Sequence, residues 1–126
     1  MSTDTGDQTE GVLNHHLESV ETKNLDAIMQ DYDEDSILVT PDVSIEGLDG
    51  IRGFFEAFLP GLTPGIMANF AVDRAAIHDE LAYIIWNAGD EIPLGTGTFI
   101  VQNGKIKFQT FAAYTCLLYT SPSPRD

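Results

Sequence analysis

Cysteine and positive charge are both scarce in this sequence. Its 126 residues include a single cysteine, Cys116, and six Lys and Arg against 20 Asp and Glu, so the formal net charge is -14. One cysteine cannot form an intramolecular disulfide bond, and we therefore expect a reducing, cytoplasmic environment. Because a strongly negative protein repels a phosphate backbone, nucleic acid is not an expected partner.

Long apolar runs, secretion signals and cofactor motifs are missing as well. No apolar run approaches the roughly 20 residues of a membrane-spanning helix. Residues 1–11 lack the basic start and the apolar core of a secretion signal. The sequence has no Cys and His set at zinc-ligand spacing, no GxGxxG, no phosphate loop and no GxSxG elbow. We expect no membrane contact, no metal and no cofactor.

The length of the chain favours a single domain, which we place at residues 11–115. The preceding residues 1–10 are predicted to be a flexible N-terminus. Residues 116–126 leave the strand pattern and become rich in Ser and Pro, which is typical of a translated adapter or read-through tail. A native disordered tail is the alternative.

An amphipathic helix is predicted in each of three N-terminal stretches. In the first, Asp7 and Glu10 resemble a capping box ahead of an apolar stripe that includes His16. The second begins at the N-cap candidate Asn24, and the third has apolar residues at helical spacing over residues 48–59. These three helices need a partner surface on which to bury their apolar faces.

The rest of the chain is predicted to be sheet. A short hairpin lies between the second and third helices, and the Pro- and Gly-rich residues 60–65 connect the third helix to a four-strand meander. Asn103-Gly104 is a strong signal for the turn between the last two strands. The predicted strands cover residues 36–40, 43–46, 67–77, 81–88, 94–102 and 105–114.

A two-residue turn would set the register of the last hairpin. It would pair Phe99 with Phe108 and Gly97 with Thr110 on one face. The other face would carry Leu94, Thr96, Thr98, Ile100, Lys107, Gln109, Phe111 and Ala113. Because both faces are partly apolar, we expect helices on one side of the sheet and a homodimer partner on its outer side.

The acidic run after the second helix imitates the start of a calcium loop. Asp31, Asp33 and Asp35 have D-x-D-x-D spacing, and Asp42 follows at the twelfth position. The sixth position holds Ser36 where such a loop needs glycine, and the last ligand is not Glu. The sequence therefore favours a solvated helix end over a metal site.

Three segments are distinctive when taken with the order of the predicted elements: NLDAIMQDYDEDSILVTPD, GLDGIRGFFEAF and GTGTFIVQNGKIKFQTFAAY. From about Gly11 to Thr115, the chain resembles the SnoaL-like branch of the NTF2-like superfamily. It implies a cystatin-like α+β fold, in which three N-terminal helices pack on a strongly curved, mainly antiparallel sheet to form a cone around an apolar cavity. Members of this group serve as isomerases, polyketide cyclases, epoxide hydrolases, dehydratases or binders, so the fold does not choose an activity.

The acid and base positions that the resemblance implies are vacant in this chain. Ketosteroid-isomerase-like members use a carboxylate where this chain has Thr40, a tyrosine where it has His16, and an acid on a central strand that here contains Gly97. The relay of the epoxide hydrolases would fall on Asp73 and Arg74, which as neighbours on a strand point to opposite faces. The cyclase-type Asp late in the sheet has no counterpart in residues 105–114.

His16 is the best candidate for chemistry, because an imidazole titrates near neutral pH and this one projects with the apolar stripe of the first helix. A core histidine bonded to backbone is the alternative. For the aromatic residues among the ligand-binding candidates, a plain core position is the alternative. The candidates for lining an apolar pocket are Tyr32, Thr40, Phe54, Phe58, Trp86, Gly97, Phe99, Thr110 and Tyr114.

Two functions remain open from the sequence. In the first, the protein binds a small apolar metabolite without turnover. In the second, it is a ketosteroid isomerase-like or polyketide cyclase-like isomerase, cyclase or lyase that uses His16 as acid or base. The vacant carboxylate positions favour binding.

Overall fold

The structure, a computed structural model, describes residues 2–114, with side chains from residue 5 onward. The predicted tail at 116–126 lies outside the described residues. Within them are helices α1 (Ser2–Glu21), α2 (Leu25–Met29), α3 (Gly47–Phe58) and α4 (Pro64–Asn69), with one 3-10 turn at Leu59–Gly61. The strands are β1 (Ile37–Val39), β2 (Ser44–Glu46), β3 (Phe70–His78), β4 (Leu81–Ala88), β5 (Ile92–Gln102) and β6 (Lys105–Tyr114).

The six strands form one sheet in the order β2-β1-β6-β5-β4-β3. Neighbouring strands are antiparallel except β1 and β6, which run parallel with Leu38 opposite Gln109. Every second residue of β4, from Ala82 to Ala88, is buried against the helices, and this alternation defines the inner face of the sheet. The predicted α+β class, with helices on a curved and mainly antiparallel sheet, is confirmed.

Helix α1 starts earlier than its sequence predicts. It begins at Ser2, so most of the segment predicted to be a flexible N-terminus is helical, and Asp7 lies inside the helix instead of capping it. The reason is tertiary contact, because Thr9 is buried and its hydroxyl donates to the backbone oxygen of Asp79 in the β3–β4 turn. Docking on this turn stabilises two helical turns that lack an apolar stripe of their own.

Helix α4 is absent from the sequence prediction, which extends a strand back to Met67. Thr63 accepts a hydrogen bond from the backbone N–H of Ile66, and Pro64 occupies the first turn. An N-cap followed by proline is a helix-start signal, and it outweighs the extended pattern here. Helix α4 therefore packs against β4 before β3 begins.

The last hairpin contains a β-bulge that changes its predicted register. The Asn103-Gly104 turn forms as expected and Val101 pairs with Ile106, but Ile100 then pairs with Phe108 and leaves Lys107 as an extra residue. Beyond the bulge every pair is shifted by one residue, which reverses the faces of β6. Three further exposed apolar residues, Leu94, Tyr114 and Val39, lie with Phe108 on the outer face of the sheet.

No helix among residues 2–114 is long and apolar enough to cross a membrane.

Candidate functional site

A cavity of about 100 Å³ lies between the helices and the inner face of the sheet. An apolar cavity of about 150 Å³ accepts benzene, so this one has room for a slightly smaller group. The cavity also opens to the surface, which allows a longer ligand to extend outward. Its lining consists of His16, Leu17, Val20, Glu21, Phe54, Phe55, Phe58, Leu62, Ile66, Met67, Phe70, Ile84, Trp86, Ile92, Gly97, Phe99, Gln109, Thr110 and Phe111.

Aromatic rings make up much of the wall. The Phe111 ring packs against Phe58 at 5.4 Å and against Trp86 at 6.0 Å between ring centroids, and Phe58 stacks on Phe54 at 5.4 Å. These side chains come from α3, β4 and β6, so the tertiary fold brings them together. Rings packed edge to face or offset resist collapse into the free space.

His16 borders the cavity from α1 and is 4% exposed. Burial lowers its pKa from 6.5 to about 4, and the neighbouring His15 contributes a smaller part of the decrease. The imidazole is therefore neutral at pH 7. Its Nδ1 is buried and has no hydrogen-bond partner within residues 2–114. A neutral imidazole is well suited to hydrogen bonding, but at pH 7 almost none of it is in the imidazolium form that a general acid requires.

Tyr32 and Gln109 form the second polar contact of this region. Tyr32 is buried behind the wall, and its hydroxyl donates to Oε1 of Gln109, which borders the cavity from β6. Burial and the nearby Asp31 carboxylate raise the pKa of Tyr32 well above its usual range, so the hydroxyl stays protonated. The Tyr32 and His16 rings are 6.0 Å apart between centroids, so Tyr32 lies beside both His16 and Gln109.

The structure brings most of the predicted site residues together at this cavity. His16 borders it. Six of the ligand-binding candidates border it as well: Phe54, Phe58, Trp86, Gly97, Phe99 and Thr110. Thr110 is exposed, however, and its hydroxyl accepts a hydrogen bond from the backbone N–H of Thr98 on the adjacent strand. Its predicted position opposite Gly97 is wrong because of the bulge at Lys107.

Three candidates do not border the cavity. Thr40 is occupied in the β1–β2 turn, where its hydroxyl donates to the backbone oxygen of Val43 and accepts from two backbone N–H groups. Tyr114 is 45% exposed on the outer face, because the bulge reverses the faces of β6. Tyr32 is one layer behind the wall and acts on it through Gln109.

Gln109 and Phe111 are the wall residues that the sequence prediction put on the wrong face. A signal for them exists in the strand itself, because its apolar residues change parity between Phe108 and Phe111, which is typical of a bulge. Ile66 and Met67 were missed with helix α4, and Thr63 before Pro64 was their signal.

The acidic run near α2 serves in ion pairs. Asp33 receives the Lys107 ammonium at 2.7 Å, which lowers the Asp33 pKa, and both Asp31 carboxylate oxygens lie 2.9 Å from Nδ1 of His15. Asp35 is 3.8 Å from the same ammonium. In the described part of the chain, no group of three or more His, Cys, Asp or Glu side chains is arranged to hold a metal ion.

Solved structures share this architecture with low sequence identity. An NTF2-like protein of unknown function from Burkholderia xenovorans LB400 matches with a TM-score of 0.71 and 21% identity over 86% of this chain and 84% of that one. A proposed ketosteroid isomerase from Kribbella flavida DSM 17836 matches with a TM-score of 0.67 and 18% identity over 96% and 87% of the two chains. A SnoaL-like protein of unknown function from Burkholderia thailandensis E264 matches with a TM-score of 0.70 and 11% identity over 86% and 95%.

No family model matches the sequence, and no curated protein matches it. At identities of 21% or less, the structural likeness establishes the fold alone.

Proposed function

Because this chain has the NTF2-like fold of the SnoaL-like proteins, we propose that it binds a small apolar molecule in the cavity between its helices and its sheet. The observation that carries the proposal is the lining, which is aromatic and aliphatic except for His16, Glu21, Gln109 and Thr110. Concave apolar surface with a few convergent polar groups is the usual form of a small-molecule site.

Binding is favoured over turnover by the state of the polar groups. At pH 7 His16, with a pKa of about 4, has almost no imidazolium form to act as a general acid, and none of the carboxylate positions of the ketosteroid-isomerase-like members holds an acid in this chain. Glu21 is the one carboxylate in the lining, and it lies at the solvent-exposed edge of the cavity. Isomerase or cyclase chemistry with His16 as acid or base is the second candidate, and its support is the position of this residue on the cavity wall.

Filling the cavity is expected to abolish binding. Val20→Phe adds a ring at the half-buried end of the lining, whereas the same change at the exposed Val43 in the β1–β2 turn leaves the cavity untouched. Trp86 is the single tryptophan and lines the cavity, so its indole N–H gives one NMR signal that reports occupancy. We expect cyclopentane to shift this signal with a Kd of about 1 mM in the wild type. The Kd should rise at least about tenfold in Val20→Phe and stay unchanged in Val43→Phe.

Equal affinity in both variants would contradict the proposal. Turnover of a ketosteroid, epoxide or polyketide by the wild type would also contradict the proposal if His16→Gln abolished it, because the cavity would then be a catalytic site. Native mass spectrometry of the protein as isolated from cells would identify any molecule that the cavity retains.

We also propose a homodimer formed through the outer face of the sheet. Phe108 is 50% exposed, Leu94 49% and Tyr114 45%, all on neighbouring strands and all pointing away from the helices. Leu94 pairs with Tyr114, and Phe108 lies further along β6 on the same face, so the apolar residues are spread over the outer face of two paired strands. A self-complementary sheet face is a common dimer interface. The cytoplasmic location and the absence of a nucleic-acid partner stay predictions from composition.

Phe108→Asp is expected to weaken self-association at least about 30-fold, because an unpaired carboxylate replaces the most exposed large apolar side chain of this face. The matched control is Val72→Asp. Val72 is 39% exposed on the edge strand β3, and it lies on the inner face of the sheet because it pairs with Trp86. Sedimentation equilibrium should give a dimer for the wild type and the control, and a monomer for Phe108→Asp. A monomeric wild type would rule out the dimer.

A further inference from the structure

Two of the four polar side chains in the cavity lining have hydrogen-bonding directions that can be assigned. Gln109 comes from β6 and His16 from α1, and both border the cavity next to Tyr32. A glutamine amide and a neutral imidazole can each either donate or accept. Which role each one has at the cavity depends on what its other polar atom does inside the protein.

Tyr32 settles the direction of the Gln109 amide. The Tyr32 hydroxyl is fully buried, and within residues 2–114 its one acceptor is Oε1 of Gln109. If the amide were turned over, its NH2 would donate to the tyrosine oxygen and the buried O–H would lose its acceptor, which costs about 1–3 kcal/mol. The observed orientation satisfies both groups and leaves Nε2 of Gln109, with its two N–H donors, as the polar atom at the cavity.

The unpaired nitrogen settles the tautomer of His16. Nδ1 is enclosed by protein without a partner among the described residues, so Nε2 is the ring nitrogen that a molecule in the cavity meets. A buried N–H without an acceptor is rarer in proteins than an acceptor left unused. The neutral ring therefore carries its proton on Nε2 and leaves a lone pair on Nδ1. His16, like Gln109, presents an N–H to the cavity.

Charge further restricts the ligand. No Lys or Arg occurs in the lining, Glu21 lies at its exposed edge, and the chain has a formal net charge of -14. A carboxylate or phosphate would enter this site against the field and without a counter-ion, since the His16 imidazole is neutral. A neutral acceptor oxygen faces no such cost.

From these contacts we infer that Tyr32 fixes Gln109 as a donor and that Gln109 and His16 together select a small, neutral, apolar ligand carrying a carbonyl oxygen. This inference rests on the proposed function, because it names the ligand class of the same cavity. The two lone pairs of a carbonyl oxygen match two donors from different elements. Tyr32 is a positioning residue here, since it acts on the ligand only through Gln109.

The test compares cyclopentanone with methylenecyclopentane, which has the same shape but no acceptor, by titrating the Trp86 indole signal. The measured quantity is the ratio of the two Kd values, so differences in hydration of the probes cancel between variants. Relative to the wild type, the preference for the ketone should fall about tenfold in Gln109→Leu and severalfold in Tyr32→Phe, where the amide is free to turn. The matched control is Gln102→Leu, because the Gln102 amide donates to Glu80 on the surface, away from the cavity. This variant should keep the wild-type ratio.

The outcomes separate the two proposals. If neither probe binds the wild type, the proposed function fails and this inference fails with it. If both bind and the ratio is the same in Gln109→Leu as in the wild type, the cavity binds apolar molecules but the carbonyl preference is overturned. Stronger binding of cyclopentanecarboxylate than of the ketone would also overturn it.

A second measurement needs no ligand and covers the case in which Gln109→Leu does not fold. The ¹⁵N chemical shifts of the His16 ring at pH 7 should show the proton on Nε2, and a proton on Nδ1 would overturn the assignment.

Discussion

Gly95→Ala is expected to lower the free energy of unfolding by about 3 kcal/mol, because it adds a methyl group where the Trp86 ring already lies. The two residues face each other across β4 and β5, and a Cβ at position 95 would be 2.2 Å from Cε2 and 2.3 Å from Cζ2 of the indole. The ring is 7% exposed and packed against Phe70 and Phe111, so moving it away from position 95 disrupts these contacts and pushes it into the cavity. Urea unfolding at pH 7 measures the loss.

The matched control is another Gly→Ala change with the opposite expected sign. Gly53 is exposed on α3, and a Cβ there would meet nothing within 4 Å. Alanine at that position should stabilise the helix by up to about 1 kcal/mol, since it restricts the unfolded chain and favours helix. If both variants changed stability in the same direction, the indole would not lie across Gly95. Because Trp86 also forms part of the cavity wall, Gly95→Ala should weaken ligand binding as well.

Acid should destabilise this protein through His16. The pKa of His16 is about 4 in the folded protein and 6.5 in the unfolded chain, so between these pH values the unfolded state binds a proton that the folded state does not. Stability is therefore complete above about pH 6.5 and is lost as the pH falls towards 4. A difference of about 2.5 pH units corresponds to about 3 kcal/mol.

His16→Leu removes this group and should flatten the profile by the same amount, again measured by urea unfolding at intervals between pH 7 and pH 4. Burial raises the pKa of Asp31, which acts in the opposite direction, but both proteins contain Asp31 and its effect cancels in the difference. His16→Gln keeps a polar side chain and should give the same flattened profile. Parallel curves for wild type and variants would mean that His16 titrates normally in the folded protein.

Local signals predicted much of the fold. Asn24 caps α2 by accepting from the backbone N–H of Ala27, and Asn103 and Gly104 both have the positive φ angles of the expected turn. Strand β4 and strand β6 have the predicted bounds. These features depend on residues that are close in the chain, which is why the sequence carries them.

The errors come from contacts between distant residues. At the bulge, Lys107 forms an ion pair with Asp33, which is 74 positions away in the sequence. The bulge moves Gln109 and Phe111 to the cavity wall. The first turns of α1 are held by the backbone oxygen of Asp79, which is 70 positions from Thr9 in the sequence. Most of the aromatic wall was predicted because bulky rings are strong core signals, whereas Gln109 was missed because its face depends on a single inserted residue.

The parallel pairing of β1 with β6 bears on how the chain can fold during synthesis. Leu38 leaves the ribosome about 70 residues ahead of its partner Gln109, a delay on the order of ten seconds at ordinary translation rates. Until then the small β1–β2 hairpin has no strand beside it, and the aromatic face of α3 has no Phe111 to cover it. The native sheet can therefore be completed only after nearly all of the described chain has been made. An incomplete product would expose the aromatic face of α3 and an unpaired strand edge to other molecules in the cell.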